Sequence, residues 1–260
     1  MSGTLSVVTW NVNSLRARLP LVLRWVKQHR PDVLCLQETK VTDDLFPLDD
    51  FTIFGYHEAL HGQKTYNGVA ILSRRPIEVV ARGFDGKGGD EQKRLIAGTI
   101  AGIRVVNAYI PNGGEVDSDK FAYKLAFIAQ LRRYLEERHR PDEPLVLVGD
   151  FNVATEPGDV YSVEEMEGQV CYHPDERAAL AKLKAWGFED QFRRFEKAPG
   201  HYTWWDYRQA GWQRNHGLRI DHIWTTPPLA ERGQSCTIDK AERGREKASD
   251  HAPVTATFSL

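Results

Sequence analysis

The chain has 260 residues, with 34 Lys+Arg against 36 Asp+Glu and a formal net charge of −2, which excludes a uniformly basic nucleic-acid coat and a strongly acidic disordered tail. At 41% hydrophobic and 27% charged the composition is that of a soluble globular protein of one or two domains, and no apolar run approaches the roughly 18 residues that a membrane-spanning helix needs. The start, Met1-Ser2-Gly3-Thr4-Leu5, lacks the basic and apolar regions of a secretion signal and points to the cytoplasm; Cys35, Cys171 and Cys236 form no C-x-x-C and read as reduced thiols, with Cys35 in the core.

In chain order, period-two and β-branched runs predict a strand over Leu5–Val12, and then a helix over Pro20–Arg30 with proline at its first position and Val22, Trp25 and Val26 on one stripe. Strands follow over Val33–Glu38 and Gly68–Ser73, and Gly83–Asp90 reads as a loop, since it lacks the spacing of a P-loop or a G-x-G-x-x-G motif. Strands Arg94–Ile100 and Ile103–Ile110 lead to a helix over Ser118–Arg140, whose apolar repeat is Phe121, Leu125, Ile128, Leu131 and Leu135. After strand Leu145–Phe151 comes a helix over Pro174–Trp186, burying Leu180 and Leu183 and stopping at Gly187. Strands over Arg219–Thr225 and Ala252–Phe258 complete the chain. No linker or repeat divides it, so one domain over 1–260 is expected.

The chemistry collects where strands end. Trp10-Asn11-Val12-Asn13, Leu36-Gln37-Glu38-Thr39, Tyr109-Ile110-Pro111-Asn112, Gly149-Asp150-Phe151-Asn152, Arg219-Ile220-Asp221-His222 and Ser249-Asp250-His251 each run from apolar residues into Asn, Asp, Glu or His. A single such ending is a turn; six together predict one site at a common sheet edge. Strand alternation puts Asn11 with Asn13, and Asp150 with Asn152, on one face. The donors are hard oxygens without thiolate, which suits Mg²⁺ or Mn²⁺ rather than zinc, and Glu38, Asp150, Asp221 and Asp250 need a divalent cation or a histidinium among them. Asp250 and His251 cannot both face one site from a flat strand, so the strand proper is expected only after Pro253.

These motifs, with Tyr66-Asn67-Gly68, Thr203-Trp204-Trp205-Asp206-Tyr207-Arg208 and Gly217-Leu218-Arg219-Ile220-Asp221-His222, closely resemble the exonuclease III family of class II apurinic/apyrimidinic endonucleases, within the endonuclease/exonuclease/phosphatase superfamily. The resemblance covers nearly the whole chain. Gly-Asp-Phe-Asn and Ser-Asp-His mark only the superfamily, whereas Trp-Trp-Asp-Tyr-Arg followed by Leu-Arg-Ile-Asp is far more specific. The resemblance implies a four-layer α/β sandwich of two packed β-sheets flanked by helices, in place of the doubly wound parallel sheet that alternation alone suggests.

It also implies Mg²⁺- or Mn²⁺-dependent hydrolysis of the phosphodiester 5′ to an abasic site in double-stranded DNA, with 3′–5′ exonuclease and 3′-end-cleaning activities on blocked ends, by a monomer. The family's metal falls at Glu38, with Asn11, Asn13 and Asp250 beside it and Asp150, Asn152 and His251 facing it. Asp150 and His251 compete as activator of the attacking water; Asp150 is placed at the nucleophile, with Asp221 and His251 as a coupled pair at the phosphate. Tyr109 and Asn152 are expected to donate to the phosphate. Trp204, Leu218 and Ile220 line the pocket for an extruded abasic sugar, Trp205 belongs to the core, and Trp212 and Gln213 lie on a loop near the DNA grooves. Arg16, Arg18, Lys40, Lys64 and Arg208 supply cations, and Tyr66, Asn67, Asn112 and Asn215 uncharged donors, to the backbone. The competing readings are a nonspecific DNase or another phosphodiesterase of the superfamily, and a binding module that has lost catalysis.

Overall fold

A computed structural model describes residues 3–84 and 92–260; of the expected loop Gly83–Asp90, residues 85–90 lie outside the described residues. The strands are β1 (Thr4–Asn11), β2 (Val33–Gln37), β3 (His57–His61), β4 (Val69–Ser73), β5 (Glu78–Arg82), β6 (Leu95–Ile100), β7 (Ile103–Tyr109), β8 (Leu145–Asp150), β9 (Glu189–Asp190), β10 (Trp204–Trp205), β11 (Gly217–Leu218), β12 (Asp221–Thr225), β13 (Gly233–Ile238) and β14 (Val254–Ser259). They form two six-stranded sheets, in the orders β13-β14-β1-β2-β4-β3 and β5-β6-β7-β8-β12-β9, and a small pair β10-β11. Both large sheets are mixed, with parallel pairs β1–β2 and β7–β8 and antiparallel neighbours.

Alternation within each strand builds three apolar layers. Leu5, Val7, Val33, Cys35, Val105, Val146, Val148 and Ile223 pack between the sheets. Val8, Trp10, Leu34 and Leu36, on the opposite face, take Val22, Trp25 and Val26 of helix Leu15–His29. On the far side, Val106, Leu145, Leu147 and Trp224 take Phe127, Ile128, Leu131 and Leu135 of helix Asp119–Arg138 and Leu180 and Leu183 of helix Pro174–Lys184. The expected four-layer sandwich is therefore present.

Several boundaries differ from expectation. The first helix starts at Leu15, with Pro20 inside it; the hydrogen bond forfeited falls on the carbonyl of exposed Arg16, where water can serve. Helix Asp119–Arg138 is capped by the Ser118 hydroxyl, which accepts from Phe121 N–H at 3.2 Å. Strand β12 begins at Asp221, not Arg219, and β14 at Val254, not Ala252, so the strand does begin beyond Pro253 and frees Asp250 and His251 from alternation. Four members of the six-stranded sheets, β3, β5, β9 and β13, are not expected from the sequence; all are edge strands, short or partly exposed.

Candidate active site

The site is the continuation of the row of side chains that face between the sheets. In register, Tyr109 pairs with Asp150 and Asp150 with Asp221 across β7, β8 and β12, while Asn11 pairs with Gln37 across β1 and β2. Below them, Gln37 Nε2 donates to Asn107 Oδ1 at 2.7 Å, and Asn107 Nδ2 donates to the carbonyls of Leu36 and Ala70. This buried amide pair fixes the spacing of the two sheets directly under the site.

Asn11 bridges the sheets: its Nδ2 donates to Glu38 Oε1 and to Asp150 Oδ2, both at 2.9 Å. Glu38 also accepts from the Tyr109 hydroxyl at 2.8 Å and pairs with Lys40 Nζ at 2.7 Å. Burial raises its pKa, but Lys40 and the donors from Asn11 and Tyr109 outweigh that and hold the carboxyl below its ordinary value. Burial, with Glu38 and Asp150 nearby, pushes the Tyr109 phenol well up, so it stays a proton donor. The expected side-chain pairs converge by a different device from strand alternation. Asn13 and Asn152 lie past their strands with φ of 42° and 52°, each N–H bonded to the side chain two residues earlier, Asn11 Oδ1 and Asp150 Oδ1, at 2.9 Å; asparagine tolerates the left-handed backbone such a turn requires.

Asp150, Asp221 and His251 are all buried, and their ligand-type atoms lie within 4.8 Å of one another. His251 Nδ1 bonds Asp221 Oδ2 at 2.9 Å and its Nε2 lies 3.7 Å from Asp150 Oδ2. Burial alone lowers the imidazole's pKa, but Asp221 and Asp150 raise it to about 10. Burial raises Asp150 to about 7, against the opposing pull of His251. His251 thus has Nδ1 engaged by Asp221 and Nε2 facing Asp150, and the three residues form the one cluster of possible metal donors among the described residues. These directions favour Asp150 over His251 as the group able to accept a proton.

The expected phosphate donors both have partners within the site. Tyr109 spends its one hydroxyl proton on Glu38, and Asn152 Nδ2 donates to Ile110 O at 2.9 Å and Asp150 Oδ2 at 3.2 Å. Both therefore hold carboxylates, while Asn112 Nδ2 donates to Asn152 Oδ1 at 3.0 Å. Asp250 accepts from Asn13 Nδ2 and from Trp204 Nε1, each at 3.0 Å.

These groups floor a cleft of about 610 Å³ walled by Trp204, Leu218 and Ile220, with Trp204 paired to Leu218 through β10 and β11. Sequence reasoning missed further lining residues: Tyr161, Met166, Val170 and Cys171, which pack with Leu218, Ile220 and Trp204, and His216, which stacks on Tyr161 at 4.3 Å and 4°. They come from irregular segments and one short helix, Val163–Met166, whose spacing carries no signal. Burial pushes the Cys171 thiol up to about 12, so it packs rather than reacts. An adjoining groove of about 460 Å³ is lined by Tyr66 and Asn67 and shares Tyr109, Asn112 and Gly114 with the cleft.

Other expected contacts lie elsewhere. Trp212 packs edge-on against the fully buried Trp205, 5.0 Å between centroids, and Asn215 accepts from Trp205 Nε1 and Lys240 Nζ; both are structural supports of the helix Gly211–Arg214, outside the cleft lining. Gln213, Arg16 and Lys64 are exposed, Arg18 donates to Asn13 O and Tyr207 Oη, Lys40 also donates to Asn13 Oδ1, and Arg208, at the cleft rim, pairs with Asp206.

The profile of the endonuclease/exonuclease/phosphatase family matches residues 8–251. The chain belongs to this family. It is 37% identical to exodeoxyribonuclease III of Haemophilus influenzae over 96% of this chain and 98% of that protein. Its fold superposes with a TM-score of 0.94 on an AP endonuclease from Archaeoglobus fulgidus, 43% identical over 98% of this chain and 100% of that one. The same score, at 41% identity and the same coverage, relates this family member to a 3′ phosphatase from Neisseria bound to product DNA hairpin. Among the described residues, no helix is long and apolar enough to cross a membrane.

Proposed function

We propose that the chain is a DNA base-excision repair nuclease that hydrolyses the phosphodiester 5′ to an abasic site, leaving a 3′-hydroxyl and a 5′-deoxyribose phosphate. The observation that carries this reading is the buried Asp150–His251–Asp221 triad at the floor of a cleft with an aromatic and aliphatic wall. A sugar without its base is small and partly apolar; Trp204, Leu218 and Ile220 accept it, and extrusion costs less because no base stack is lost.

Asp150, raised to about 7, takes a proton from water near neutral pH, held in direction by Asn11 and Asn152. The His251 imidazolium, fixed by Asp221, presents its Nε2–H to a phosphoryl oxygen as charge develops there. Four carboxylates, Glu38, Asp150, Asp221 and Asp250, face two cations, Lys40 and the His251 ring. That excess of negative charge, and the all-oxygen donor set, fit a divalent cation. Glu38 would hold Mg²⁺ or Mn²⁺, with Asn11, Asn13 and Asp250 beside it. Held there, such an ion would supply charge neutralisation for a phosphoryl oxygen and the departing 3′-oxyanion. The same chemistry at a strand end gives the 3′–5′ exonuclease and 3′-end-cleaning activities, with Tyr66, Asn67, Arg16 and Arg208 along the flanking backbone.

The test is a duplex with one abasic analogue, compared with 3′-phosphate and intact ends, in Mg²⁺ and in EDTA. Metal-dependent incision at the analogue is expected; cleavage of intact DNA at the same rate, without preference, would favour a nonspecific DNase.

A further inference from the structure

Lys124 lies on the buried stripe of helix Asp119–Arg138, between Phe121 and Ile128, where helical period calls for an apolar residue. Its side chain has 0% exposure, and its ammonium donates to Asn112 O at 3.0 Å, to Asn152 O at 2.7 Å and to Glu176 Oε1. All three of its donors are thus used. Glu176, equally buried, accepts at its other oxygen from His173 N–H at 3.1 Å, where the chain leaves Cys171 on the cleft wall. One buried ion pair therefore ties together the exits of β7 and β8 and the loop that carries Cys171 to the cleft lining. The backbone has shaped itself to this stem: a Cβ on Gly113, whose φ is +97°, would meet Lys124 Cδ at 3.1 Å.

Stability alone does not call for such a pair, because apolar residues of similar volume stabilise a core as well or better. Its partners point to another role. The Asn152 whose carbonyl it holds directs both its N–H and its Nδ2 at Asp150, at 2.9 and 3.2 Å, and Asn112 Nδ2 donates to Asn152 Oδ1 at 3.0 Å.

We propose that Lys124 is a positioning residue for the hydrolysis: by fixing the carbonyls of Asn112 and Asn152 it aims the Asp150 carboxylate from the side opposite the cleft. This rests on the reading of Asp150 as water activator. The test is the double substitution Lys124→Met with Glu176→Gln, which removes both charges, keeps the acceptor for His173 N–H and leaves the two carbonyls without their donor. Three readouts are compared with wild type: melting temperature, kcat and KM on the abasic-analogue duplex, and amide hydrogen exchange of the segment 150–154. Expected are a variant folded at the assay temperature, its melting temperature lowered by the two unpaired carbonyls, kcat lower by about 10²-fold with KM little changed, and exchange at 150–154 faster by about tenfold. Wild-type kcat and wild-type exchange in a folded double variant would overturn the proposal. If the double variant does not fold, Lys124→Arg, whose planar fork cannot reproduce an ammonium's three directions, is measured in its place and must show the same kcat and exchange losses. Exchange is read without substrate, so a wild-type chain that fails to incise the duplex would refute the functional reading, while unchanged exchange would refute this one.

Discussion

The triad's charge arrangement makes Asp221→Asn a sharp perturbation, since it preserves shape and removes one charge. His251 Nδ1 lies 2.9 Å from Asp221 Oδ2, and a unit pair at that separation in an effective dielectric of ~20 interacts by roughly 5–6 kcal/mol. That is enough to move a pKa by about 4, of the size by which His251 rises from 6.5 to about 10. With the carboxylate gone, the ring's pKa falls because Asp150 and Asp250 alone oppose burial; the amide also presents a donor where Nδ1–H needs an acceptor. We expect kcat lower by about 10²–10⁴-fold, or roughly 3–5 kcal/mol, with KM on the abasic-analogue duplex within about threefold. The sign in pH follows. The imidazolium persists in wild type up to about pH 10, so activity should hold on the alkaline side and fall only near there, whereas in the variant that limb moves to lower pH. The assay is single-turnover incision from pH 6 to pH 10. A variant with wild-type kcat, or with its alkaline limb unmoved, would refute the imidazolium role.

Asp150→Asn should separate stability from activity. The carboxyl's folded pKa is raised from 3.8 to about 7, so its contribution is fully present below pH 3.8 and is lost progressively as pH rises to about 7; in EDTA the variant should melt several degrees higher than wild type at pH 8.5, with the gap clearly smaller at pH 5, while incision falls by about 10³-fold. Calorimetry showing a destabilised variant at pH 8.5 would contradict the buried-carboxylate reasoning. Tyr109→Phe removes the 2.8 Å donor to Glu38; we expect about a tenfold loss of kcat and a higher Mg²⁺ concentration for half-activation, and no change in metal dependence would count against that support. DNA affinity, with about three phosphate contacts from the site's flanks, should fall roughly 40-fold between 50 and 200 mM salt, read by fluorescence anisotropy; a flat salt response would refute backbone contacts from this face.

The buried strands and the helix stripe were legible because alternation in β1, β2, β7 and β8 and the helical period at Val22, Trp25 and Val26 reflect burial directly, whereas the stacking of two sheets followed only from the family resemblance, since alternation does not say which sheet a strand joins. The site residues were legible as polar ends of apolar strands, since the same inward row that packs Val146 and Val148 continues into Asp150. What the sequence left open was set by tertiary partners. Pro20 reads as a helix start but sits inside a helix that Leu15 anchors in the core. Asn215 and Trp212 read as surface donors but support Trp205. Tyr161 and His216, 55 residues apart in sequence, meet only because two irregular segments close over the cleft. Lys124 gave no warning beyond its charge on an apolar stripe.

The most direct measurement is a single turnover on the abasic-analogue duplex in ¹⁸O-enriched water, with both fragments weighed by mass spectrometry. Water activated at Asp150 and attacking phosphorus predicts one ¹⁸O in the 5′-phosphate fragment and an unlabelled 3′-hydroxyl. Label in the 3′-hydroxyl, or an unlabelled fragment with an unsaturated 3′ end, would contradict phosphodiester hydrolysis at this site.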